Sequence, residues 1–400
     1  MNKTNKFQLL FFFIAASSFF SQEFISFNPN NTIISKENSN SKEVVNNLFY
    51  NKKFYDYTEK NKNNHFIHKY NNSCFPTEKK LFWNNETDLH INKLIEEIKN
   101  SNLFKINFKD KNKFYKREKP KISIIITVYN QGNYLKKLYS FIQKQELKDI
   151  EIIFIDDAST DNSSFIIKEL MQLDKRIVYL KNHINKKQYY SINVGILNSK
   201  GEYILSIDPD DLLLNNILIK AYETAKYYNL DIIQFYMLFG LNLWRNVKYK
   251  NGIICDNKNV RKIFYYGVSR NLPDKLIKRS IYIKSIQFMK KELYNMDYHM
   301  HTDDTIFFGI IHYAKSYGFL EQIGYYYNRD PSRKKQYIKE NPSEKANNNL
   351  KSLFNIMKYF ILQSDNNTIE KNNIPYKFFE LKVQKYITLV IKVFHFNILS

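Results

Sequence analysis

Three acidic clusters are the parts of this 400-residue chain whose composition and spacing suit chemistry. They are the pair at 156–157, the run Asp-Pro-Asp-Asp at 208–211, and the pair at 303–304, which begins an apolar stretch. Carboxylates crowded at the end of a buried segment are costly unless something cationic pairs with them. Oxygen ligands of this kind suit Mg²⁺ or Mn²⁺, and a further carboxylate suits proton transfer as a general base.

Alternating apolar and amphipathic segments surround the first two clusters. Short β-branched runs predict buried strands, and the segments between them, with apolar residues on one face, predict helices. In chain order these segments are 122–128, 133–145, 150–155, 163–173, 176–180, 189–198 and 203–207. Strand–helix alternation predicts parallel strands with right-handed crossovers, and ligands then bind where the strands end. The first two acidic clusters stand at two such ends.

The run at 208–211 has two interpretations. An isolated Asp-x-Asp is common, and one of its carboxylates would cap a helix that begins near Leu212. Its place at the end of a fourth parallel strand, opposite a second acidic loop, favours a metal site that water and substrate phosphates complete.

The order and spacing of these segments resemble the N-terminal half of a family 2 glycosyltransferase. The matching stretches are ISIIITVYNQGNYLKKLYSFIQKQ, IEIIFIDDASTDNS and SINVGILNSKGEYILSIDPDD, all within about 121–214. Looser agreement continues through 271–282, 301–318 and 323–332. The resemblance implies an α/β chain with a GT-A nucleotide-diphospho-sugar transferase fold, whose mostly parallel sheet is flanked by helices. It also implies inverting transfer of a sugar from a nucleotide-diphosphate sugar to an acceptor hydroxyl.

The resemblance assigns the nucleotide side of the site to four residues. Thr127 and Tyr129 would line the nucleoside pocket. Asp157 would accept a hydrogen bond from the base, and Asp156 would help to hold the ribose. A UDP-sugar is one candidate donor, and the acceptor would be a glycan, a lipid or a protein.

The same resemblance makes Asp208 and Asp210 the pair that binds Mn²⁺ or Mg²⁺ and the donor phosphates, with Asp210 as the more direct metal ligand. The alternative is a catalytically inactive, nucleotide-binding scaffold with the same fold. The presence of both Asp210 and Asp304 argues against it.

The third acidic pair would act on the acceptor. Asp304 matches the base of the family, and Asp303 would orient or tune it. The purely structural alternative is that Thr302 or Asp303 caps the helix, and a cap is compatible with the role on the acceptor. Arg329 would clamp a phosphate, or else be an ordinary surface arginine of a basic chain.

Two departures from the family pattern concern the segment before and within the third helix. Many members have a glycine near Lys187 and an arginine near Ile192, and this chain has neither. Lys186 and Lys187 are candidate substitutes. The Gln-x-x-Arg-Trp motif of processive synthases is also absent from the sequence, which favours non-processive transfer.

The remaining segments define four predicted regions. These are a signal peptide or signal anchor at 1–27, a low-complexity linker at 28–118, the GT-A domain at 119–332 and a helical extension at 333–400. The apolar run at 7–20, preceded by lysines, predicts either secretion or a type II anchor in the ER or Golgi membrane. Within the linker, 89–98 has helical periodicity. The C-terminal helices, predicted at 350–362 and 376–396, pack on the domain or associate with a membrane surface.

Composition excludes several protein classes but does not select a function. A hydrophobic content of 44% excludes a wholly disordered chain, and two cysteines exclude a disulfide scaffold. The formal net charge of +22 is spread along the sequence. Because the sequence shows no nucleic-acid-binding module, we expect no nucleic-acid partner.

Overall fold

A computed structural model describes a large part of the predicted domain and one helix before it. The described residues are 85–100, 119–214, 216–239, 242–244, 253–254, 260, 269, 271–288 and 302–328. The predicted signal segment, the C-terminal helices and Arg329 lie outside them. Among the helices of the described ranges, none has the length and apolarity that crossing a membrane requires.

Helices and strands alternate through the first half of the domain. The helices are α1 Asn85–Asn100, α2 Gly132–Gln143, α3 Ser163–Leu173, α4 Lys187–Asn198, α5 Ile217–Tyr227, α6 Arg279–Phe288 and α7 Thr302–Tyr313. The strands are β1 Ile122–Val128, β2 Ile150–Asp156, β3 Ile177–Lys181, β4 Tyr203–Ile207, β5 Leu212–Leu213, β6 Ile232–Phe239, β7 Asn242–Trp244, β8 Ile253–Ile254, β9 Lys275–Lys278 and β10 Tyr317–Tyr327.

One mixed sheet contains these strands in the order β3-β2-β1-β4-β9-β6-β10-β5, while β7 pairs with β6 and β8 with β10. Strands β1 to β4 are mutually parallel, and β9 runs antiparallel to both β4 and β6. Strand β10 is parallel to β6. Strands β1, β2, β4, β6 and β10 therefore end at a common edge, called here the carboxyl edge, and β9 begins there.

Helices cover both faces of the sheet. On one face α1, α4, α6 and α7 share an apolar cluster, and on the other α2, α3 and α5 share a second cluster. Gly195 lets α4 lie directly on the strands, because a Cβ at this position would stand 2.7 Å from Ile155 Cδ1. The helix predicted at 89–98 is confirmed as part of α1, and its residues Ile91 and Leu94 are buried in the first cluster.

The predicted strands and helices between 122 and 207 are confirmed, with ends that differ by a few residues. The expectation of a helix near Leu212 is wrong. Leu212 and Leu213 form β5, since both are buried and pair with β10, and the next helix begins at Ile217. The interpretation that an aspartate of 208–211 caps a helix beginning near Leu212 is therefore also wrong.

Candidate functional site

The loops after β1 and β2 are tied together at the carboxyl edge. Asn130 adopts a left-handed conformation with φ 53°. Its side-chain oxygen accepts a hydrogen bond from Thr160 N at 2.8 Å, and its own N–H donates to Ser159 Oγ at 3.0 Å. The predicted nucleoside residues lie just before this turn. Thr127 is half-buried in β1, whereas Tyr129 is 47% exposed.

Asp156 is fully buried at the end of β2, and its own chain satisfies it. Oδ1 accepts from Ser159 N at 2.8 Å, and Oδ2 accepts from Tyr179 OH at 2.9 Å and from Ser164 Oγ. Lys181 Nζ lies 3.4 Å from Oδ2. Burial raises the pKa of Asp156, but the hydrogen bonds from Ser164, Ser159 and Tyr179 outweigh burial and hold that pKa below its usual range. This carboxylate organises the loop, and its predicted ribose contact stays a prediction.

Asp157 faces the segment that leads into α4. It is 4% exposed, and its Oδ1 accepts from Asn182 Nδ2 at 2.7 Å and from Lys186 N at 2.8 Å. Its own N–H donates to Val128 O at 2.8 Å. Burial raises the pKa of Asp157 despite these hydrogen bonds. Asp157 thus links the end of β1 to Asn182, just after β3, and to Lys186, just before α4, around the predicted nucleoside pocket.

Both departures from the family pattern lie in α4. Lys187 has φ 68°, a left-handed conformation that glycine adopts more readily. Ile192 is 1% exposed and belongs to the apolar core, so it presents no polar group to a ligand. Lys186 Nζ lies 5.9 Å from the centre of the Tyr190 ring. An ammonium group therefore stands close to the Asp157 loop.

The run at 208–211 forms a tight turn between β4 and β5. Asp208 is half-buried, Asp210 is 6% exposed, and Asp211 is fully buried. Asp211 Oδ2 accepts from Tyr325 OH at 2.6 Å, and Oδ1 accepts from Asn328 N at 2.8 Å. The Tyr325 hydroxyl also accepts from Asp208 N at 3.3 Å. Residues at the carboxyl end of β10 thereby hold the Asp-x-Asp turn in place through hydrogen bonds.

Three neighbouring carboxylates give this turn an excess of negative charge. Burial, followed by the charges of Asp208 and Asp210, raises the pKa of Asp211 well above its usual range. Helix α4 contributes Gln188, whose Nε2 donates to Asp208 Oδ1 at 3.1 Å. A cation bound at the turn would offset the repulsion between the carboxylates.

The turn fits Mg²⁺ or Mn²⁺ through two carboxylates and ligands from outside the chain. Within the described ranges, no three His, Cys, Asp or Glu side chains are placed to hold a metal by themselves. A hard divalent cation commonly uses one or two carboxylates and completes its coordination with water and substrate phosphates. Asp208 and Asp210 match that donor set.

The acid pair at 303–304 lies in the first turn of α7. Asp303 Oδ2 accepts from Leu272 N at 3.4 Å, which links α7 to the segment before β9. Burial and then the charge of Asp303 raise the pKa of Tyr282 well above its usual range. The Tyr282 hydroxyl is buried and has no hydrogen-bond partner among the described residues. Because α7 ends just before β10 begins at the opposite edge, its first turn points toward the carboxyl edge.

The structure thus places Thr127, Tyr129, the 156–157 loop, the 208–211 turn and the first turn of α7 at or toward one edge of the sheet. Arg329 lies outside the described residues, so its predicted role stays a prediction. Sequence reasoning missed Tyr325 and Gln188 as supports of the turn. Tyr325 is 114 residues from Asp211, so no local pattern links the two.

Comparison with known proteins identifies relatives of the central part of the chain. Residues 123–295 match the family Glycosyl transferase family 2. Glycosyltransferase GlyG of Streptococcus pneumoniae serotype 4 is 36% identical over 112 residues, which are 28% of this chain and 37% of GlyG. The Campylobacter jejuni GalNAc(5)-diNAcBac-PP-undecaprenol beta-1,3-glucosyltransferase is 38% identical over 108 residues, 26% of this chain and 35% of that protein.

A solved structure gives a further, weaker likeness. Staphylococcus aureus TarS residues 1–349, in complex with UDP-GlcNAc, have a TM-score of 0.45 and 21% identity, covering 52% of this chain and 59% of that one. The matched region spans little more than a third of the two curated relatives above.

Proposed function

We propose that this chain transfers a sugar from a nucleotide-diphosphate sugar to an acceptor hydroxyl, and the match of residues 123–295 to the family Glycosyl transferase family 2 supports this. The observation that carries the proposal is the 208–211 turn. Its three crowded carboxylates stand at the carboxyl edge of the mixed sheet, just after the parallel strand β4, and open α/β sheets bind ligands at such strand ends. Their excess negative charge calls for a cation, and a nucleoside diphosphate supplies further oxygen ligands for it.

The nucleotide lies over the ends of β1 and β2 in this proposal. Tyr129, which follows β1 and is 47% exposed, offers a ring for the nucleoside, and Thr127 lies two residues earlier, within β1. Asp157 holds the Lys186 N–H and the Asn182 side chain, and so shapes the pocket wall. Lys186 carries a charge opposite to that of the donor phosphates.

The diphosphate lies toward the 208–211 turn. Asp208 and Asp210 would hold Mn²⁺ or Mg²⁺, which when bound acts as a Lewis acid and offsets charge on the departing diphosphate. Asp211 has a different task. Its hydrogen bonds to Tyr325 and Asn328 fix the turn, so that the two ligand carboxylates keep their positions.

The acceptor hydroxyl is activated from the α7 side. As it attacks the anomeric carbon, the bond from that carbon to the diphosphate oxygen breaks, and the hydroxyl proton passes to Asp304. Attack on the face opposite to the leaving group inverts the configuration at this carbon. Asp303, held by Leu272 N, would orient the first turn of α7.

The acceptor is a glycan, a lipid or a protein, and transfer is non-processive. The name of the Campylobacter jejuni relative describes an undecaprenol-linked glycan, which makes a lipid-linked glycan one acceptor to test first. A lipid-linked acceptor also agrees with membrane association through the apolar run at 7–20.

A screen of nucleotide sugars tests the proposal without knowledge of the acceptor. The full chain is heated with each donor, with and without Mn²⁺, and the unfolding midpoint is measured. A ligand at about 100 times its Kd adds about 2.7 kcal/mol of stability, a shift that is easily measured. We expect at least one nucleotide sugar to raise the midpoint more in Mn²⁺ than without it, and Asp210→Asn to abolish the extra shift. A panel in which no donor moves the midpoint would refute the proposal.

A further inference from the structure

A fully buried ion pair at the start of β9 has no part in the chemistry described above. Lys275 is 0% exposed and Asp274 is 1% exposed, and the ammonium donates to Asp274 Oδ1. Gln234 Nε2 donates to Asp274 Oδ2 at 2.8 Å, and Tyr317 OH donates to Gln234 Oε1 at 3.0 Å. The carboxylate therefore has protein donors at both oxygens.

Such a pair needs an explanation other than stability. Removing two charges from water costs several kcal/mol per ion, and apolar residues of similar size often replace a buried pair without loss of stability. Here the pair has a defined location. Strand β9 begins at the carboxyl edge, between β4, which leads into the 208–211 turn, and β6.

The Lys275 ammonium contacts the surroundings of the acid pair on two sides. It donates to Asn271 O at 2.6 Å, and the next residue, Leu272, donates its N–H to Asp303 Oδ2. On the other side, Nζ lies 5.2 Å from the centre of the Phe307 ring, about one helical turn beyond Asp303 in α7. One buried charge thus touches both the segment that binds Asp303 and the helix that carries it.

We propose that Lys275 is a positioning residue for the acid pair at 303–304, because it fixes the Asn271–Leu272 segment and the first turn of α7 relative to the 208–211 turn. Its kinetic consequence rests on the proposed transferase function. A base misplaced by about 1 Å slows a reaction by up to about 100-fold even when substrates still bind. Loss of Lys275 should therefore reduce kcat and leave the KM for the donor nearly unchanged.

The double variant Asp274→Asn/Lys275→Met separates positioning from stability. It removes both charges of this ion pair together, so that neither Asp274 nor Lys275 is left as a single buried charge, and it keeps an acceptor oxygen for Gln234. It also removes the donor to Asn271 O and the cation above Phe307. The matched control is Ile277→Val, a buried change in the same strand, which leaves these contacts in place.

We expect the double variant to transfer sugar at least tenfold more slowly than wild type, with a donor KM within twofold. Ile277→Val should stay within twofold in both constants. Amide hydrogen exchange at 302–306 should become faster in the double variant while exchange in β1 stays the same. A folded double variant with wild-type kcat and unchanged exchange at 302–306 would overturn the inference.

A second variant and a substrate-free measurement test the inference if the double variant does not fold or if no donor is used. If the double variant does not fold, Phe307→Leu removes the ring beside the ammonium and leaves both charges. It should reduce kcat at least threefold at constant donor KM, and an unchanged kcat would overturn the inference. Exchange at 302–306 needs no substrate. If wild type transfers no sugar from any donor, the proposed function fails, and the exchange comparison still decides whether Lys275 positions α7.

Discussion

The 156–157 loop and the 208–211 turn each follow a buried parallel strand, yet their carboxylates meet different neighbours. Asp156 receives hydrogen bonds from Ser159, Ser164 and Tyr179, and these hold its pKa below the usual range in spite of burial. Asp211 is equally buried, but burial and two adjacent carboxylates raise its pKa. At the first site the donors supplied by the chain outweigh burial. At the second site Tyr325 and Asn328 also donate to Asp211, but burial and the charges of Asp208 and Asp210 outweigh these hydrogen bonds, and a bound cation would relieve that repulsion.

The largest expected effect is the loss of transfer activity when the 208–211 turn is altered. Asp210→Asn removes a proposed metal ligand while keeping the shape of the side chain, and should reduce transfer by about 100-fold or more. Its unfolding midpoint should stay within about 3 °C of wild type. The matched control is Asp149→Asn, an acid whose side chain is 68% exposed, and it should transfer normally. Equal rates for the two variants would contradict a catalytic role of the Asp210 carboxylate.

For stability we expect the opposite contrast, with the larger loss at the 156–157 loop. Asp156→Ala leaves several buried donors without an acceptor, and should lower the free energy of unfolding by about 3 kcal/mol. Urea unfolding at neutral pH measures the change, and Asp149→Ala should alter it by less than about 0.5 kcal/mol. A loss at position 156 no larger than at position 149 would mean that the hydrogen bonds to Asp156 do not organise the loop.

The pH dependence of stability sharpens the same contrast. Because the folded-state pKa of Asp156 lies below the unfolded value, near 3.8, its ionised form stabilises the fold above that pH. The advantage of wild type over Asp156→Asn should therefore be full at neutral pH. It should shrink as the pH falls below the unfolded value and through the folded one. Urea unfolding of both proteins between about pH 7 and pH 2 measures this difference. A difference that does not depend on pH would contradict the assignment.

The smallest effect concerns the segment that Asp157 holds. Lys187→Gly should relieve the left-handed strain at φ 68° and raise the free energy of unfolding by up to about 1 kcal/mol. Lys186→Gly is the matched control, since Lys186 has φ −103° and gains nothing from glycine. A gain at position 186 equal to that at 187 would show that backbone strain is not the cause. Thermal or urea unfolding distinguishes the two.

Much of the first half of the domain follows from local sequence. Runs such as Ile122–Val128 are short, rich in β-branched residues and apolar on both faces, which favours a buried strand, and the amphipathic segments between them favour helices. The expectation at Leu212 was wrong for a tertiary reason, because that residue pairs with Tyr326 of β10. Two apolar residues after a turn do not reveal a partner strand more than 100 residues away.

The candidate site was predictable in its residue types and less so in their roles. Asp156 and Asp157 look equivalent in sequence, but only the fold shows that Tyr179 and Ser164 occupy the first. Tyr325 and Lys275 gave no local signal. Lys275 lies in β9, which pairs with β4 and β6, and Tyr325 lies in β10, which pairs with β6 and β5, so the positions of both residues depend on pairings between distant segments.

Formation of the sugar–acceptor product tests the proposed function most directly. The full chain is incubated with the donor that stabilises it and with candidate acceptors, in Mn²⁺ or in chelator, and released nucleoside diphosphate and glycosylated product are measured together. We predict that both appear in equal amounts, that chelator suppresses both, and that Asp210→Asn forms neither above background. Release and transfer at the wild-type rate by Asp210→Asn, or no product from any stabilising donor, would contradict a transferase built around the 208–211 turn.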